Sequence, residues 1–249
     1  MRARRARPSG RDAAMSVVDH LTELRARLVI SLAAVAIGAL LAFLVYDRIL
    51  DFLIQPYCDL PRRPSGRCSL FIQDPLEGFT TRLKVATYGG LFLASPVVLY
   101  QLWRFVTPGL NPNEKRYAVP FVASSIALFA MGAVIAKLTF PKALAFLVDV
   151  GGPNLETIFS PAKYLRLIIL VIVAFGVAFE FPVLLVFLQL AGVLSSRRLG
   201  SWRRPAVVVI FVVAAVITPS QDPYSLFAMA GPMYLFYELS ILIGRLLHR

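Results

Sequence analysis

The sequence predicts an all-α polytopic membrane protein with six spanning helices, and three observations carry that class. The chain of 249 residues is 58% hydrophobic and only 16% charged, with a mean hydropathy of +0.71, whereas an ordinary globular domain is about one quarter charged. Its apolar residues gather in runs close to the roughly 20 residues that a bilayer-crossing helix needs. Its bases gather in short clusters between those runs. A net charge of +12 on one face would suggest nucleic acid, but bases dispersed in this way suit membrane orientation instead.

The apolar runs cover about residues 28–46, 85–106, 117–140, 164–190, 206–217 and 226–247. They are apolar all round and longer than strands, and backbone in hydrocarbon must satisfy its own hydrogen bonds, so they are helices. The fifth run yields only about 18 Å of helix. It is short for a core about 30 Å thick, so the bilayer thins there or flanking residues are drawn in.

With the N-terminus inside, the cytoplasmic segments hold 16 of the 26 bases, while Asp47, Asp51, Asp59, Asp74, Glu77, Asp149, Glu156 and Asp222 fall outside. The positive-inside rule therefore predicts both termini in the cytoplasm, and an even helix count agrees. The first run is too long for a secretory signal peptide and lacks a small-residue cleavage site after Tyr46, so it reads as a retained anchor. Residues 1–14 read as a disordered basic tail, Met15 is an alternative start, and 15–249 read as one six-helix domain. The 47–84 segment, rich in Pro and Gly, reads as an outer cap that is helical near 47–54. No internal repeat is visible, which argues against transporters built from duplicated halves.

Four segments carry candidate chemistry. The first, Asp19-His20-Leu21-Thr22-Glu23-Leu24-Arg25-Ala26-Arg27, is an amphipathic lead-in to the first run. Glu23 is there either an i,i+4 partner of Arg27 or an acid exposed for binding. The second runs from Tyr100 through Trp103 and Phe105 to Glu114. Asn111, Pro112 and Glu114 form a capping-box arrangement, and the other reading of Glu114 is a carboxylate beside an aromatic at the cytoplasmic mouth. In the third, Glu180 lies mid-run beside Pro182. An ionisable group at that depth is costly and is a functional candidate by default; the alternatives are a protonated Glu bonded to a neighbouring helix, or a position nearer the interface. In the fourth, Asp222-Pro223 reads as an N-cap followed by proline.

Together these segments resemble the TatC family of the twin-arginine protein export system. The resemblance rests on His20 to Arg27, on Ser95 to Phe105 with Pro108, Leu110 and Glu114, on Phe175 to Val183, and on Thr218 to Asp222 with Pro232 to Tyr234. It runs collinearly from about Val18 to Arg245. It implies a glove-like arrangement with short fifth and sixth spans, and a receptor for folded precursors bearing twin-arginine signal peptides. By the same resemblance, Glu23 and Glu114 receive the paired arginines and Arg25 and Phe105 shape that site. Glu180 lies on the concave membrane face, and Pro56 and Asp222 are sensitive outer positions. It implies TatA- and TatB-type single-span partners, self-association, the proton-motive force as energy source and residence in the bacterial cytoplasmic membrane.

No metal or cofactor is expected. Cys58 and Cys68 have no CxxC or Cys/His partner, and His20 and His248 lie at opposite ends of the chain. Outside the cytoplasm the two cysteines are expected to form a disulfide, the alternative being two free thiols. No phosphate loop is present. The competing reading is a small-molecule secondary transporter with Glu180 as its proton or cation site. A membrane enzyme would need a Ser/His, paired Asp or HExxH constellation that the runs do not contain.

Overall fold

The computed structural model describes residues 17–60, 70–106, 118–152 and 159–246. The described residues form nine α-helices and no strand. The lead-in and the first apolar run are one helix, α1 (Val17–Leu44), because no Pro or Gly separates them. At Val45 (φ −105°, ψ 21°) the chain turns into α2 (Tyr46–Cys58). This cap helix is longer than the 47–54 predicted. Asp47 sits in its first turn, where an acid favours the helix dipole. Leu53, Pro56 and Tyr57 face inward, and Asp47, Arg48, Asp51 and Asp59 face out. Cys58 is disulfide-bonded, and the chain's other cysteine, Cys68, lies outside the described residues.

The second and third runs are α3 (Glu77–Val106) and α4 (Ala118–Val150). At 30 and 33 residues they are about 45 and 50 Å long, so both outrun a bilayer core of about 30 Å. Pro96 cannot donate to the Phe92 carbonyl; the Ser95 hydroxyl does so instead, at 2.7 Å. The backbones of α1 and α3 meet at glycines. A Cβ on Gly90 would stand 2.3 Å from the Ala39 nitrogen, and one on Gly38 would stand 2.7 Å from the Gly90 oxygen. Small residues of this kind let membrane helices approach closely.

The fourth run is not one bent helix but two, α5 (Pro161–Ala178) and α6 (Phe181–Leu190). Pro182 lacks the N–H that the Ala178 carbonyl would accept, and the break falls one turn earlier, at Phe179–Glu180. A short helix α7 (Ser196–Ser201) precedes α8 (Arg203–Ile217) and α9 (Pro223–Leu246). Among the described residues five helical segments are long and apolar enough to cross a membrane, with α5 and α6 counted as one, and α8 is not among them. Its 15 residues give only about 22 Å. The sixth span is not short: α9 has 24 residues, about 36 Å.

The main core lies among α2, α4, α5 and α9, where Tyr57, Phe140, Tyr164, Ile168, Phe175 and Met229 are fully buried. The Tyr164 hydroxyl donates to the Leu53 carbonyl at 2.8 Å and pins the cap helix to α5. A second, smaller core joins the last turn of α3 to α4 and α6 through Trp103, Phe121, Val183 and Leu190.

Candidate functional site

The last two turns of α3 organise two polar clusters on opposite sides. Successive residues on a helix are about 100° apart, so Gln101 and Phe105 share a face and Trp103 points away from it.

On the first face, α3 meets the N-terminal part of α1. Phe105 stacks on His20 with ring centroids 4.4 Å apart. Glu23 Oε1 accepts from Arg27 Nε at 3.0 Å and also from Arg27 Nη2. Arg27 Nη1 donates to Gln101 Oε1 at 3.4 Å. Glu23 thus makes the i,i+4 pair that its spacing predicts, but with one oxygen only. Glu23 Oε2 is buried and has no hydrogen-bond partner among the described residues. An acceptor removed from water without a donor is costly, so this oxygen has acceptor capacity to spare. Arg25 is exposed and lies about 200° around α1 from Glu23. The arginine at the Glu23 carboxylate is Arg27. Glu114 lies outside the described residues.

On the second face, Trp103 Nε1–H donates to Ser125 Oγ at 2.5 Å. The Ser125 hydroxyl in turn donates to Glu180 Oε2 at 2.5 Å. One hydroxyl therefore links α3, α4 and the α5–α6 break. Glu180 is the N-cap residue of α6 at that break, and its Oε1 is buried without a partner among the described residues. A Glu180 bonded to a neighbouring helix was one of the readings the sequence offered, but nothing in the sequence singled out Ser125 as its partner.

Asp222 and Pro56 are structural in their contacts. Asp222 is buried and caps α9: its Oδ1 accepts from Ser225 N–H at 2.8 Å, and its Oδ2 accepts from the Ser220 hydroxyl at 2.5 Å. Gln221 before it holds φ +48°, a left-handed conformation uncommon for a residue with a Cβ. Pro56 is buried within α2. Glu77 is a helix-joining anchor that sequence reasoning missed. It accepts from Gln73 N–H at 2.7 Å and from Ala162 N–H at 3.1 Å, so the start of α3 caps the first turn of α5.

The membrane-length helices and these partner-poor carboxylates define a polytopic α-helical integral membrane protein whose polar chemistry sits at helix ends and breaks. The family model for the Sec-independent protein translocase protein (TatC) matches residues 19–232, and the chain belongs to that family. It is 43% identical to TatC of Frankia casuarinae over 94% of this chain and 66% of that protein. It is 38% identical to TatC of Aquifex aeolicus over 94% of this chain and 97% of that one. A crystal structure of a twin-arginine translocase receptor, TatC, superposes with a TM-score of 0.73 at 38% identity, covering 92% of this chain and 100% of that one. The chain spans 66% and 62% of the length of the Frankia and Corynebacterium kroppenstedtii relatives.

Proposed function

We propose that this protein is the core receptor of a twin-arginine translocase, binding the arginine pair of a signal peptide at the cytoplasmic end of α1 and α3. The observation that supports this best is the Glu23 carboxylate, with one oxygen held by Arg27 and the other buried and unpartnered. A guanidinium offers a rigid fork of donors that a lysine does not reproduce. Glu23 takes one arginine of the pair and Glu114 takes the other. Phe105, stacked on His20, forms an aromatic wall, and Arg25 and Arg27 repel isolated cations.

In this reading both termini are cytoplasmic and the protein spans the bacterial plasma membrane several times. The apolar part of the signal peptide lies along the concave membrane face that carries Glu180. Pro56 and Asp222 hold the outer rim. TatA- and TatB-type single-span proteins and further copies of this chain complete the translocase, and the proton-motive force drives it.

Photocrosslinking of a twin-arginine signal peptide from a probe at position 105 tests the reading. Crosslinks are expected with the native protein and are expected to vanish in Glu23→Ala and Glu114→Ala variants that still insert. Full crosslinking in both variants would refute it.

A further inference from the structure

We propose that a cleft between the first turn of α8 and the last three turns of α9 binds one anionic phospholipid, with its phosphate on Arg245 and Arg203 and an acyl chain on Leu235, Leu239 and Leu242. The cleft has a volume of about 330 Å³, and these five residues line it together with Glu238 and Ile241. Many leucines of this protein are exposed. This cleft differs in combining an apolar floor with guanidinium donors that lack partners.

The electrostatics are specific. Glu238 is the one acid in the cleft, and Arg203 neutralises it: Nε and Nη2 donate to its two oxygens at 2.8 Å each. The Tyr234 hydroxyl adds a third bond at 3.3 Å. Arg203 Nη1 keeps no partner among the described residues. Arg245 makes no ion pair among them either, and its Nη2 lies 3.4 Å from where a Cβ on Gly200 would stand. Arg204 follows Arg203 in sequence, and Arg197 and Arg198 lie on the short helix α7 just before them. The local field is positive and its donors suit a phosphate diester.

The apolar floor decides between a free phosphate and a lipid. Leu235, Leu239 and Leu242 are 65%, 46% and 52% exposed. They occupy one α9 face at helical spacing. Leu235 lies ten residues before Arg245, about 15 Å along the axis. A charged end and an apolar track at that separation match an amphiphile standing in the bilayer. Trp202, 52% exposed and next to Arg203, suits the headgroup level. Basic pockets between spanning helices are favourable sites for anionic headgroups.

Native mass spectrometry of the full chain in a neutral detergent, with phosphatidylglycerol, phosphatidylcholine or inorganic phosphate added, tests this independently of the signal-peptide site. The native protein is expected to retain one phosphatidylglycerol in preference to phosphatidylcholine. Arg245→Gln should lower that retention about tenfold, and Arg245→Lys by less. Leu239→Ser should weaken phosphatidylglycerol retention while leaving signal-peptide crosslinking intact. Equal retention of both lipids, unchanged retention in Arg245→Gln, or displacement of the lipid by equimolar inorganic phosphate would overturn the proposal. So would disulfide-linked dimers through Leu239→Cys that form equally with and without phosphatidylglycerol, since a second helix would then fill the cleft.

Discussion

At the residue scale, single polar atoms decide how helix ends are joined. Trp103, Ser125 and Glu180 share one hydrogen-bonded chain across three helices. Trp103→Phe keeps an aromatic ring but removes the indole donor, leaving the buried Ser125 oxygen one bond short. A loss of about 1–3 kcal/mol is expected, read by thermal unfolding in detergent, and an unchanged melting temperature would contradict the link. Asp222 makes a similar test on the outer side. Asp222→Ala removes the α9 cap and should cost about 1 kcal/mol, with Asp222→Asn retaining most of the stability because Asn also caps. Sequence alone identified the capping role of Asp222, since Asp-Pro before an apolar run is a local signal. It did not identify Glu77, whose partner Ala162 is 85 positions away, nor Gln101, which meets Arg27 across 74. Such pairs exist only once helices are packed.

At the element scale, close helix contacts and breaks set the shape. Gly90 is where α1 and α3 touch, and the two nearest atoms that a new Cβ would strike there are Ala39 backbone. Gly90→Ala must therefore separate the helices, whereas Gly231, with nothing within 4 Å of a new Cβ, has room. Thermal unfolding should show a clear loss for Gly90→Ala and no loss, or a gain of up to about 1 kcal/mol, for Gly231→Ala. Equal effects would contradict the packing. The breaks were unevenly legible. Pro182 announced the one between α5 and α6. The one at Val45 carries neither Pro nor Gly, so the apolar pattern ran on through it to Tyr46. The short α8 was readable from the length of its run alone. The full length of α9 contradicts the short sixth span that family resemblance suggested.

At the scale of the whole molecule, the all-helical membrane class was legible because lipid imposes length and apolarity on every spanning segment. The convergence of α1 and α3 was not, because no local pattern encodes which helices meet. The charge distribution predicts that reporters fused after residue 246 and before residue 17 both read cytoplasmic, with insertions near Asp149 reading external; an external C-terminal reporter would invert the topology. That orientation puts the α1–α3 cluster, proposed for a peptide, and the arginine cleft of α8 and α9, proposed for a lipid, on the same side of the membrane.

The central claim is that the Glu23 carboxylate reads a guanidinium, and the most direct measurement compares the affinity of twin-arginine and twin-lysine signal peptides for the native protein and for Glu23→Gln in detergent. The native protein should bind the arginine peptide more tightly than the lysine peptide, and Glu23→Gln should lose most of that preference while keeping the same fold. An undiminished arginine preference in Glu23→Gln would contradict the account.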